Sequence, residues 1–171
     1  MLKFLIHLYR KFFWIVEKLA VFNGATIGKD CDIQDISFGS EPYLVTIGNH
    51  VQITSGTKIF THGGAWVLRG KYPNIDVFGK VVIKDNVYIG NNCLIMPGVT
   101  IGKNCVIGAG SVITKSIPDN LVVAGNPAKI IASFSDFEQK MILKNTNSKA
   151  LNALDKKKYL LSLSDDKFVI K

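Results

Sequence analysis

The chain has 171 residues, 47% of them hydrophobic and 20% charged, with a formal net charge of +8. That length suits one domain with modest appendages, and the apolar content excludes a chain disordered throughout. Residues 1–20 contribute +3 of the charge and residues 133–171 another +3. No stripe of Lys and Arg interleaved with aromatics is present, which excludes a nucleic-acid binder and leaves small polyanions or an anionic membrane surface as partners.

The first predicted element is a helix over residues 2–20, within an N-terminal segment 1–22. Lys3, His7, Arg10, Lys11, Glu17 and Lys18 recur near helical spacing and leave a broad apolar face. Charge interrupts this stretch too often for a spanning helix. It also lacks the uninterrupted apolar run and small-residue cleavage site of a secretory signal. Two readings stand. The helix lies in the plane of a membrane surface, as Phe12, Phe13 and Trp14 with their flanking bases suggest, or its apolar face packs on the rest of the fold or on a neighbouring subunit.

From about Ala25 to Val123 the chain beats in sixes. Isoleucine stands at 27 and 33, at 47, 53 and 59, and at every sixth position from Ile83 to Ile113. Glycine follows directly in Ile27-Gly28, Ile47-Gly48, Ile89-Gly90, Ile101-Gly102 and Ile107-Gly108. A period of six is neither helical nor a simple strand alternation. It marks an all-β solenoid in which each unit is one short strand and a turn, and three units close a coil of roughly 18 residues. Cys31, Cys93 and Cys105 share one slot of the hexad, filled elsewhere by Val51, Thr57, Val87, Val99 and Ser111. Every occupant is small, so the cysteines read as buried thiols of a reducing, cytoplasmic compartment rather than as disulfides or metal ligands.

The beat breaks twice. The interval from Ile33 to Ile47 is two residues too long, which predicts a bulge or small loop within Ser37–Tyr43. Between Ile59 and Ile83 lies FTHGGAWVLRGKYPNIDVFGK, an excursion over residues 60–80. Loops thrown out from a rigid scaffold are where function concentrates. Of the three histidines, His7 belongs to the helix pattern and His50 to a turn expected to be exposed. His62 alone is carried by a loop, between Thr61 and Gly63-Gly64. An imidazole with an ordinary pKa near 6.5 suits a general base at neutral pH. Beyond Ile113 the beat gives way to a turn-rich exit punctuated by Pro118, Gly125 and Pro127. A tail over residues 133–171 follows, with one helix opened by a capping box at Ser135–Glu138 and a second at DKKKYLLSL. These tail helices are suited to cover the open end of the solenoid.

The hexads, together with VYIGNNCLIMPGVTIGKNCVIGAGSVITKSIP and AGNPAKII, resemble the hexapeptide-repeat acyltransferases. Within that superfamily the chain is most similar to galactoside, maltose and xenobiotic acetyltransferases and to O-acetyltransferases of bacterial surface polysaccharides. The resemblance covers roughly residues 25–132. It implies a left-handed parallel β-helix over residues 23–132, homotrimers with active sites between neighbouring prisms, and acetyl-CoA as donor without a bound metal. His62 then deprotonates a sugar hydroxyl that attacks the thioester directly. Asn91 matches a position that meets the donor at the oxyanion, and Ala109 one whose backbone meets the pantetheine arm. Thr114 and Lys115 match a pair at the nucleotide end, and Lys129 a position that meets the CoA phosphates.

Two departures stand out. Gly63 replaces the acidic residue that often follows the loop histidine in polysaccharide-modifying relatives. The group that orients His62 is not identified by the motif, with Asp76 and Glu41 as candidates. Trp66 and Tyr72 either stack on a sugar or anchor the loop. The rival activity is N-acetylation of an amino sugar. A non-catalytic trimeric scaffold is a further alternative. A three-histidine metal site across a trimer is disfavoured because only His50 and His62 lie in the repeats.

Overall fold

The computed structural model describes residues 16–169. Most of the helix expected over residues 2–20 lies outside the described residues. Its last part is α1 (Val16–Phe22), which buries Ala20. No helix among the described residues is long and apolar enough to cross a membrane.

Short strands follow in groups. The first group is β1 (Thr26–Ile27) and β2 (Asp32–Ile33). The second is β3 (Val45–Ile47), β4 (Val51–Ile53) and β5 (Lys58–Ile59). The third is β6 (Val81–Ile83), β7 (Val87–Ile89) and β8 (Leu94–Ile95). The fourth is β9 (Thr100–Ile101), β10 (Cys105–Ile107) and β11 (Val112–Ile113). The chain visits three sheets in rotation: β1, β3, β6 and β9 form the first, β2, β4, β7 and β10 the second, and β5, β8 and β11 the third. Every pairing within these three sets is parallel.

The register stacks the isoleucines in three columns, with Ile83 on Ile101, Ile89 on Ile107 and Ile95 on Ile113. Partners therefore stand 18 residues apart, the span of three six-residue units. Within the three-residue strands the first and third side chains are buried and the middle one faces outward, as a period of two demands. Ile53, Ile89, Ile95, Ile101 and Ile107 are wholly buried, each worth roughly 1.5–3 kcal/mol in transfer terms. The small slot beside them is equally buried at Val51, Thr57, Val87, Cys93, Val99, Cys105 and Ser111, whereas Cys31 in the first group is only half-buried. Burial pushes the Cys93 and Cys105 thiols up, which keeps them protonated and unreactive.

The rotation continues further than the isoleucine beat. Ile117 bridges in parallel to Ile101 in the first sheet, and β12 (Leu121–Ala124) pairs in parallel with β10 in the second. Valine at 122 and 123 and a four-residue step to Ile117 hide this from a search for isoleucine at every sixth position. β13 (Lys129–Ser133) then turns back antiparallel on β12 with a bulge at Val122/Val123.

The chain divides into two compact units, one ending at Phe134 and the other beginning at Ser135. Two tail helices are present, α2 (Phe134–Leu143) and α3 (Ala153–Leu161). α2 starts one residue before Ser135, so the expected capping serine lies inside its first turn. α3 starts earlier than the DKKKYLLSL pattern implied, because the Asn152 side chain caps it by accepting from the Asp155 backbone N–H.

Candidate active site

Both interruptions of the beat meet at one place. The first begins after Phe38, not at Ser37. Ser37 still bridges in parallel to Lys58, and Phe38 is buried in the core. Gly39 follows in the left-handed region (φ 70), where a side chain would press within 3.1 Å of the Ile59 carbonyl oxygen. The chain swings outward there, and Glu41 stands just before a short 3-10 turn at Pro42–Leu44, its side chain free of any capping hydrogen bond to that turn.

The second interruption leaves the trailing end of β5. Phe60 N–H still donates to the Ile95 carbonyl, and Thr61 is buried. The Gly79 N–H donates to the Thr61 carbonyl (2.7 Å), and His62 and Phe78 form an antiparallel bridge. His62 therefore stands at the pinched neck of the loop rather than at its tip. Its ring lies 5.5 Å from that of Phe78, tilted by 55°.

Glu41 is the group that orients the histidine. Its Oε2 lies 2.7 Å from His62 Nδ1. The other candidate, Asp76, faces Arg69 at 3.6 Å across the loop instead. A carboxylate only accepts hydrogen bonds, so Nδ1 carries the proton and Nε2 is left as the basic nitrogen. Glu41 keeps its charge although its side chain is only 14% exposed. The Thr61 hydroxyl, which also donates to Oε2 at 2.6 Å, holds the carboxyl below its usual range against the opposing effect of burial; His62 and Ser40 add to this. His62 itself is 41% exposed, open enough to be reached by a substrate.

Beside it lies a cavity of about 410 Å³ lined by Phe60, His62, Gly63, Gly64, Met96 and Pro97. The lining is largely apolar. The loop carries further exposed apolar side chains, with Trp66 at 77% and Val67 at 76%. Trp66 therefore does not anchor the loop within one chain. Tyr72 is half-exposed, with the Lys71 ammonium 5.3 Å from its ring centre.

The residues expected to meet the donor fall into two groups. Asn91 and Ala109 lie in adjacent turns that lead into the third sheet, where the Gly110 N–H donates to the Asn91 carbonyl at 2.8 Å. Gly90 makes their close approach possible, since a Cβ there would stand 2.6 Å from the Ala109 nitrogen. Thr114 and Lys115 lie at the trailing edge of that sheet, as do Phe60 and Met96, whose N–H groups donate to Ile95 and Ile113. They line a hollow of about 90 Å³ with Ile117, Pro118, Ala128 and Ile130. Lys129 is exposed at the start of β13, next to Ala128. The chain thus brings His62, Thr114 and Lys115 to one edge of the third sheet and Asn91 and Ala109 to the other. Sequence reasoning passed over Phe78, Thr61 and Met96. The one signal for Glu41 was the over-long interval between Ile33 and Ile47.

Residues 80–115 match the family described as bacterial transferase hexapeptide (six repeats). The chain is 52% identical over 143 residues to a protein named CapG from Staphylococcus aureus, covering 81% of this chain and 83% of that one. It spans 47% and 52% of two further curated relatives, about half their length. Among solved structures, a maltose O-acetyltransferase from Clostridium difficile 630 is 31% identical with a TM-score of 0.57, covering 68% of this chain and 73% of that one. A galactoside acetyltransferase in complex with coenzyme A is 28% identical with a TM-score of 0.54, covering 72% of each.

Proposed function

Because the chain belongs to the bacterial hexapeptide-repeat transferase family, we propose that it is an acetyl-CoA-dependent O-acetyltransferase acting on a sugar hydroxyl. The single observation that carries this reading is the Glu41–His62 pair at the neck of the loop, 2.7 Å apart, beside an open cavity. The names of the maltose and galactoside acetyltransferases support the sugar acceptor, and the coenzyme A complex supports the donor. The fold is then a left-handed parallel β-helix over residues 23–132, with the loop at 60–80 inserted.

A sugar hydroxyl is a poor nucleophile at neutral pH. His62 Nε2 takes its proton as the hydroxyl oxygen attacks the thioester carbonyl, and the imidazolium returns a proton to the departing thiolate. The base contributes about 10²–10⁴-fold, and holding both substrates in one groove contributes more. The developing oxyanion is met by the backbone N–H of Asn91. Ala109 and the close packing at Gly90 give a flat backbone for a pantetheine arm. Thr114 and Lys115 hold the nucleotide end, and Lys129 meets phosphate as a point charge.

Asn91 and Ala109 stand on the opposite edge of the third sheet from His62. This favours a site completed between two copies in a homotrimer, where the exposed Trp66–Val67 tip of the loop also finds a covering surface. The setting is bacterial surface polysaccharide assembly on the cytoplasmic side.

The test is thiol release from acetyl-CoA with a panel of sugars, amino sugars and nucleotide sugars, run on wild type and His62→Ala. Acetylation of hydroxyls, lost in the variant, is expected. Full activity in the variant overturns the base assignment, and transfer to amines alone replaces the O-acetyl reading by the N-acetyl one.

A further inference from the structure

Among the buried threonines, Thr54 and Thr57 donate their hydroxyls to main-chain carbonyls, of Ile89 and Gly90 respectively. That is the ordinary way to satisfy a buried hydroxyl in a coil of this kind. Thr61 continues the same run of chain and is just as buried, but its hydroxyl donates to a charged side chain, Glu41 Oε2, at 2.6 Å. The same oxygen takes His62 Nδ1 at 2.7 Å. Thr61 is itself fixed: its carbonyl accepts from Gly79 at the neck of the loop, and its branched side chain is stiff at χ1. It faces Gly39 closely, since a side chain there would come within 3.7 Å of the Thr61 oxygen.

We propose that Thr61 is a positioning residue for acyl transfer, its hydroxyl clamping the Glu41 carboxylate so that one oxygen of Glu41 in turn fixes the His62 ring with Nδ1 protonated. This rests on the reading of His62 as the base. With its Oε2 held by a rigid, buried donor, Glu41 cannot rotate away when the imidazole becomes charged and neutral again in each turnover. The depressed pKa of Glu41, for which the Thr61 hydrogen bond is the largest cause, accords with the clamp. The groups acting on Glu41 are few. His62 is the ionisable partner, and Ser40 and Thr61 are neutral donors. Phe60, Met96, Pro97 and Phe78, which complete the surroundings of His62, carry no charge, and the loop's Arg69 and Asp76 face each other.

The chain has three glutamates, Glu17, Glu41 and Glu138, so carboxyl carbon NMR of glutamate-labelled full-length protein resolves the titration of Glu41, assigned with Glu41→Gln. Thr61→Val removes the hydroxyl at nearly constant volume, and Thr61→Ser keeps it. The expected result is a Glu41 midpoint higher in Thr61→Val than in wild type and restored in Thr61→Ser. It is accompanied by a fall in kcat of about tenfold with the KM for acetyl-CoA within about twofold, also restored by serine. An unchanged midpoint in Thr61→Val overturns the proposal, as does an unchanged kcat. Equal loss in the valine and serine variants overturns it too, because it assigns the effect to methyl packing. His62→Ala is measured alongside. If it retains full activity, the base reading falls, while the Glu41 midpoint still reports whether Thr61 holds the carboxylate.

Discussion

His50 and His62 each place Nδ1 against a side-chain oxygen, at 2.9 Å from Asn86 and 2.7 Å from Glu41. The likeness ends there. His50 occupies a regular turn in the left-handed region (φ 53), in a row with Asn86, Asn104 and Asn120, which share that conformation. The row is a ladder: Asn86 Nδ2 donates to Asn104 Oδ1 and Asn104 Nδ2 to Asn120 Oδ1, each at 2.8 Å. His50 is the first rung, donating to a neutral amide already committed to the next. His62 stands where the coil has been interrupted, and its partner is a carboxylate kept ionised. The same hydrogen-bond geometry therefore caps a turn in one region and, in the proposed mechanism, prepares a base in the other. What differs is the charge of the partner and the room beside the ring.

The largest expected effect sharpens that contrast directly. His62→Ala lowers kcat by about 10²–10⁴-fold, whereas His50→Ala stays within about twofold, both read by thiol release. Comparable losses in the two variants break the comparison. Next is Glu41→Gln, which preserves shape but offers an amide whose NH₂ favours the wrong tautomer of His62. A fall in kcat on the order of 10²-fold is expected, with a small loss in thermal unfolding, because the hydrogen bonds that lower the Glu41 pKa also stabilise the fold. The corresponding change in the other region, Asn86→Ala, leaves kcat alone and costs stability. It removes a rung and places alanine in the left-handed region, for a loss of about 1–2 kcal/mol in denaturant unfolding.

The smallest effect concerns acid. Asp119 accepts from the Lys103 N–H at 2.9 Å and faces Lys84 at 3.3 Å, and the backbone hydrogen bond first, then Lys84, holds its carboxyl below the usual range. A lowered folded pKa gives stability that is present above the unfolded value and lost as pH falls through the folded one. Asp119→Asn should therefore be slightly less stable at pH 7, and the difference from wild type should close as pH falls through and below the ordinary aspartate range. A gap that widens on acidification contradicts the assignment.

Much of this was legible in the chain itself. The six-residue interval and the small slot holding Cys93 and Cys105 gave the rotation through three parallel sheets and the columns of isoleucine. The missing hexads between Ile59 and Ile83 exposed His62. The interval between Ile33 and Ile47 announced an interruption without saying what it presents. Asp76, in the same loop as the histidine, looked as good a partner as Glu41. The end of the coil was also blurred, because Ile117 and Val123 keep the rotation after the isoleucine spacing has lapsed.

The sequence by itself determined the repeat, because which side chains face inward is local arithmetic: a two-residue alternation within a strand and a turn of fixed length. Only the tertiary structure decided the site. Glu41 and Thr61 belong to successive circuits, brought together by the left-handed turn at Gly39 and by parallel stacking one circuit on the next. That stacking also distributes Asn91 and Ala109 to one edge of the third sheet and His62 to the other. Contacts between circuits depend on how far each interruption swings out of the coil, and no spacing along the chain encodes that distance.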